Sequence, residues 1–167
     1  MLEIVLGNLC SFCAMITDSI SDTRKKHSEI LAVQTVSQVF YGMSTIFLKG
    51  YSATVQNAVA ILRNLAAMKN IRSMATEWGL ILLGVVLGIV FNNRGLVGWL
   101  PVIANFEYSV AIFRFRDKEN WLKAAFIINT VMFIVFSLAI MNYVAAVGNT
   151  VVAATTAVSL AKEARSN

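Results

Sequence analysis

Seven stretches of mostly apolar residues divide the chain, at 2–20, 28–48, 52–69, 75–91, 96–113, 120–141 and 145–161. A membrane-crossing helix needs about 20 mostly apolar residues, with a usable range near 17–25. Every stretch meets that length, and short polar or charged segments separate them. The pattern predicts an all-α membrane protein with seven transmembrane helices.

The stretches also repeat. Residues 24–59 read again, faintly, at 116–151. A shift of 92 lays Arg24 on Arg116, Ala32 on Ala124, Val39 on Val131, Tyr51 on Tyr143, Asn57 on Asn149 and Val59 on Val151. Internal repeats constrain architecture before any other feature. Under this shift the first span maps onto the fifth, the second onto the sixth and the third onto the seventh. The fourth has no counterpart. The expected organisation is a single membrane domain in a 3+1+3 arrangement of two parallel three-helix-bundle repeats. These are 1–71 and 94–167, joined by a linker helix within 72–93. Three is odd, so a second trio following directly would be inverted. One added helix restores its orientation, which makes the halves parallel repeats about an axis along the membrane normal.

Charge placement refines this picture. Arg24, Lys25, Lys26, Lys69, Arg72, Arg114, Arg116, Lys118, Lys162 and Arg165 fall on one side of a seven-span chain, and only Lys49 and Arg94 on the other. The positive-inside rule then puts the C-terminus in the cytoplasm and the N-terminus outside. The chain is 57% hydrophobic and 14% charged, with mean hydropathy +0.69. A soluble domain carries about 25% charged residues. Net charge is +5, but it sits in short clusters between apolar runs. That is a membrane protein's inner face, so the expected partner is the lipid bilayer and not nucleic acid. The start lacks a basic n-region and a convincing cleavage site, so the first helix is expected to stay in the mature protein.

Little enzyme chemistry is available. His27 is the lone histidine, beside Arg24, Lys25 and Lys26, and reads as a solvated loop residue. Cys10 and Cys13 form a CxxC in an apolar run with no second ligand pair, which reads as helix packing. There is no Ser-His-Asp set, no HExxH, no P-loop and no GxGxxG after a strand. The expectation is a non-enzyme with no cofactor and no metal.

Polar groups within spans are costly unless they are paired or wet, so each is a candidate. Asn57 and Asn149 coincide under the repeat shift, each about five residues into its trio's third helix. An amide carries donors and an acceptor, so two facing amides suit a neutral or zwitterionic solute. Tyr41 and Phe133 also coincide, on the second helix of each trio, and an aromatic face can stack on a ring. Gln38 shares a helix face with Tyr41. Gln38 and Asn105 join these four as candidate solute ligands, and Glu107 lies two residues past Asn105 in the fifth span. Glu107 is a candidate proton site or ion-pair partner for Arg63, and its counterpart Met15 makes any such site asymmetric. Pro101 is expected to kink the fifth span. Gly79, Gly84 and Gly88 line the fourth span. They would let a helix approach closely, either within the chain or in a homo-oligomer.

Two segments, FLKGYSATVQNAVAILRNL and GLVGWLPVIANFEYSVAIFRF, resemble the YgjV-like bacterial inner membrane proteins. There, an apolar Asn-containing helix leads to an Arg near its end, and a G-x-LPVI-like segment opens the second half. The three-one-three plan resembles the SWEET and PQ-loop group. That resemblance implies transport of small solutes, notably sugars, between two parallel three-helix bundles in the bacterial inner membrane. It implies that Asn57 and Asn149, with Tyr41 and Phe133, line the pocket. The first-helix Pro and the Pro-Gln dipeptide of that group are missing here. PnuC-type vitamin transporters share the three-one-three order, which makes a ring-bearing substrate the near alternative. The reading from another class is a non-transporting structural or accessory membrane protein.

Overall fold

A computed structural model describes residues 1–21, 27–69, 71, 73–114 and 119–166. The described chain forms seven helices: α1 (Leu2–Ser21), α2 (His27–Phe47), α3 (Tyr51–Met68), α4 (Met74–Val90), α5 (Trp99–Arg114), α6 (Glu119–Ala139) and α7 (Tyr143–Ser166). Each expected stretch is therefore a helix, with ends within a few residues of the apolar runs. The basic positions Arg24, Lys25, Lys26, Arg72, Arg116 and Lys118 lie outside the described residues, as do the side chains of His27, Arg114 and Arg165.

By length and composition α1, α2, α6 and α7 can cross a membrane. The apolar α4 has 17 residues, and α3 and α5 have 18 and 16. The last two are diluted by Gln56, Asn57, Arg63 and Asn64 in α3, and by Asn105 and Glu107 in α5. The three helices that fall short are thus adjacent in sequence, and they also pack together.

The helices have the inverted layout of a bilayer protein. Ser11, Ser37, Ser44 and Ser52 are completely buried, whereas Val5, Leu9, Phe12, Ile16 and Ile20 form an exposed apolar stripe along α1. Lipid tails are as apolar as leucine, so large side chains gain nothing by facing inward. Small and polar residues let backbones approach and bond.

α1, α2 and α3 pack in sequence, and so do α5, α6 and α7. α1 meets α7, α3 meets α5, and α4 packs on both α3 and α5. The α2–α3 and α6–α7 connections are the same structure twice. Lys49 (φ 56°) and Met141 (φ 62°) are left-handed. Gly50 N–H donates to Thr45 O and Lys49 N–H to Ile46 O, while Asn142 N–H donates to Ser137 O and Met141 N–H to Leu138 O. Each is a Schellman stop. Gly50 and Asn142 then accept the first bonds of the following helix, from Thr54 N–H and Ala146 N–H. Every one of these atoms has its counterpart 92 residues away.

The end of the bundle carrying these turns is tightly tied. Asn8 of α1 donates to Met141 O (2.9 Å) and accepts from Val144 N–H (2.9 Å). Asn93 does the same job at the other turn, donating to Lys49 O (2.8 Å) and accepting from Tyr51 N–H (3.3 Å). Arg94 donates to Lys49 O and Leu48 O, and Lys49 pairs with Glu3 at 3.1 Å. Lys49 and Arg94 are the two exceptions to the charge bias, and both hold this end together. Beneath the turns, Leu48, Ala53, Phe136 and Ile140 form an apolar plug. Between α1, α2 and the α6–α7 turn, Ser44 Oγ receives Asn142 Nδ2 (3.1 Å) and touches Ser11 Oγ (2.8 Å).

One expectation is corrected here. Pro101 does not interrupt a running helix, because α5 starts at Trp99. Pro101 sits in the first turn, where the missing N–H has no intrahelical partner to lose.

Candidate functional site

Gln56 is almost completely buried, at 3% exposure, on the face of α3 that meets α4 and α5. Its Nε2 donates to Gly84 O (2.8 Å), and its Oε1 accepts from Asn105 Nδ2 (3.1 Å). One side chain thus joins three helices. Glycine makes this possible on α4. A Cβ at Gly84 would come within 3.2 Å of Gln56 Oε1, and one at Gly88 within 2.6 Å of Val102 and 2.7 Å of Gln56 Nε2. A Cβ at Gly79 would meet nothing within 4 Å. α4 therefore seats closely beside Gly84 and Gly88 and leaves open space around Gly79.

Below this seat α3, α4 and α5 line an open cavity of ≈ 620 Å³, with Arg63, Ile71, Met74 and Trp78 exposed at its mouth. Gln56, Gly84, Val102 and Asn105 line its more buried end, and Arg63, Glu77 and Trp78 line it nearer the α3–α4 connection. The levels follow from helix geometry. α3 and α4 run antiparallel, and Gln56 meets Gly84. Seven residues along α3 reach Arg63, and seven back along α4 reach Glu77. Both side chains are then at one level, about 10 Å from the amides and on the same helix faces. Among the described residues neither charge forms an ion pair. Tyr108 lies within electrostatic reach of Arg63 and packs its ring on Phe126 at 5.5 Å.

The residues singled out from the sequence divide between this cavity and other places. Asn105 and Arg63 line it. Asn57 is half-buried and turned toward α2, where a Cβ at Gly42 would lie 3.8 Å from Asn57 Cβ. Asn149 is half-buried on α7 beside Gly148, whose own Cβ would meet Met15 Sδ of α1 at 2.8 Å. No hydrogen bond joins Asn57 or Asn149 to any described residue. Tyr41 is half-buried and its hydroxyl bonds to the Asp18 carboxylate on α1. Phe133 and Gln38 are half-buried on α6 and α2.

Glu107 is not ion-paired with Arg63; its Oε2 is buried without a hydrogen-bond partner among the described residues. The reason is angular: Glu107 sits roughly 200° around α5 from Asn105, so it points away from the cavity that Arg63 lines.

Sequence reasoning passed over Gln56, Asn8 and Asn142. Gln56 did leave a trace, standing seven residues before Arg63 on the same face. Its partner is 28 residues away, and nothing local announces it.

A model of the family Imp-YgjV, described as bacterial inner membrane protein, matches residues 5–167. No curated protein and no solved structure matches the chain.

Proposed function

The chain belongs to this family of bacterial inner membrane proteins, and from that premise we propose that it carries a small neutral or zwitterionic solute, such as a sugar, across the inner membrane. In this reading α1–α3 and α5–α7 are a duplicated unit and α4 is the linker of a 3+1+3 plan. The two trios rock about the α1·α7 and α3·α5 seams to open each side in turn. The chain acts as a carrier, not as an enzyme, with its N-terminus outside and its C-terminus in the cytoplasm.

The observation that carries the reading is the pair Asn57 and Asn149. Both are half-buried, occupy matching positions 92 residues apart, and have no hydrogen-bond partner among the described residues. An amide within a bilayer span costs several kcal/mol, on the order of 2–7, unless water or a ligand satisfies it. Two such amides in equivalent places call for a wet or solute-filled path beside α3 and α7. Tyr41 and Phe133 would flank that path, with Gln38 on the same face as Tyr41. The twin Schellman turns support the duplication, since their hydrogen bonds correspond atom for atom.

The test is uptake into proteoliposomes of a panel of radiolabelled sugars, amino acids and nucleosides, together with thermal-shift screening. We expect at least one solute to equilibrate through wild type. Asn57→Ala and Asn149→Ala should each slow it by about tenfold or more, the worth of one buried hydrogen bond to a solute, with little change in melting temperature. If both variants transport at the wild-type rate, the pocket is wrong. If no solute moves, the accessory-subunit reading stands instead.

A further inference from the structure

The cavity between α3, α4 and α5 lies on a different face of α3 from Asn57, roughly 100° around the helix from Gln56. The solute path just proposed makes no use of it. Its volume of ≈ 620 Å³ falls within the range of about 300–1,000 Å³ typical of small-molecule sites. We infer that this cavity binds a zwitterion, with the ligand's oxyanion on Arg63 and its ammonium on Glu77.

The argument rests on how the charges are set. A lone arginine near a helix end is explained by snorkelling to water. Here the exposed Arg63 and the half-buried Glu77 stand at one level on neighbouring helices, line one cavity, and make no ion pair among the described residues. Opposite charges that line one mostly apolar space without pairing leave both open to a ligand. The ligand that completes both, with no net charge brought into the membrane, carries its own opposed pair. Guanidinium supplies paired donors to a carboxylate or phosphate. At the more buried end Gln56 and Asn105 satisfy each other and Gly84 O, yet each amide keeps one N–H, and Asn105 keeps its oxygen, for a polar ligand group. The space exists because α4 is drawn in at Gly84 and Gly88 and stands off at Gly79.

An ammonium paired with an oxyanion has two sources: a free amino acid, or the headgroup of an ethanolamine phospholipid. The experiment separates them. Trp78 lines the cavity, so it serves as the reporter in a Trp99→Phe, Trp121→Phe background, both removed residues being exposed. The full chain is placed in nanodiscs of phosphatidylglycerol alone. Alanine, propionate and ethylamine are titrated against its fluorescence, and in a second arm a short-chain phosphatidylethanolamine is added.

A saturable response to alanine assigns a free zwitterion, and a response to the phospholipid alone assigns the headgroup. In either case propionate and ethylamine should respond at least about tenfold more weakly, and Arg63→Gln should weaken binding by a similar factor. Glu77→Gln should remove the preference for the zwitterion over propionate. The exchange Arg63→Glu with Glu77→Arg keeps both charges and should regain binding that Arg63→Glu loses, which separates ligand contact from failed folding. The assignment is overturned if neither zwitterion gives a saturable response. It is also overturned if the charge variants bind as wild type does, or if the exchange regains nothing. Uptake is not part of the readout, so a carrier that transports nothing leaves this assignment intact.

Discussion

Gly50→Ala tests the packing of the turn end, and competing effects decide its sign. Gly50 has φ −99° and ψ 60°, so its backbone does not require glycine. On that ground alone alanine should stabilise by about 0.4–1 kcal/mol, by narrowing the unfolded ensemble. The opposing term is steric. A Cβ would lie 3.0 Å from Phe136 Cζ and 3.2 Å from Ile140 Cδ1. Phe136 is 1% exposed and Ile140 3%, so neither has free space to move into. Overpacking of this kind costs about 1–3 kcal/mol, and alanine is also the poorer helix N-cap. The net expectation is a loss of about 1–2 kcal/mol. Phe136→Leu removes the clashing ring edge, so the double variant should be more stable than the sum of the two singles, by about 1 kcal/mol. Reversible unfolding by sodium dodecyl sulfate in mixed micelles, followed by far-ultraviolet circular dichroism, measures all four proteins. Gly50→Ala at or above wild-type stability would refute the reasoning, as would a cost that Phe136→Leu leaves unchanged.

Four further outcomes are expected in the same assay. Gly88→Ala should destabilise by about 1–3 kcal/mol, because its Cβ would come within 2.7 Å of both Val102 and Gln56. Gly79→Ala, with nothing within 4 Å, should gain up to about 1 kcal/mol of helix propensity, and equal effects at the two sites would contradict the seating of α4. Lys49→Gly relieves a left-handed residue, worth about 1–2 kcal/mol. It gives up an ion pair to Glu3 whose side chains are 57% and 61% exposed, worth at most about 1 kcal/mol. It should therefore match or exceed wild type, whereas Lys49→Ala should fall below it. Gln56→Leu keeps the volume but loses two interhelical bonds, each worth about 0.6 kcal/mol and at most about 1.7. Its cost should fall by about half in an Asn105→Ala background, because the bond to Asn105 is then already gone while the bond to Gly84 O is still lost.

The polar residues chosen from the sequence show where local reasoning stops. Asn57 and Asn149 stood out because a repeat aligned them, and the same shift coincides with the twin turns at Lys49 and Met141. Gln56 went unnoticed because its counterpart under the shift is Gly148, so the repeat gave no signal there. The polar α3·α5 seam, bridged by Gln56 and Asn105, faces an α1·α7 seam where Gly148 packs on Met15. The ion pair imagined between Glu107 and Arg63 failed for an angular reason that two sequence numbers cannot convey.

Apolar run length alone determined that there would be helices, how many, and nearly where they end. A backbone in lipid must satisfy its own hydrogen bonds, and a helix does so using only residues four apart, so that information is local. The glycines of α4 were likewise legible as a close-approach face. Which helix they would approach was not. Tertiary structure alone decided that α4 sits across the α3·α5 seam, that it stands off at Gly79, and that Arg63 and Glu77 face one space. Those facts depend on where helices cross, and crossing is set by pairs of side chains far apart in the chain, such as Gln56 with Gly84.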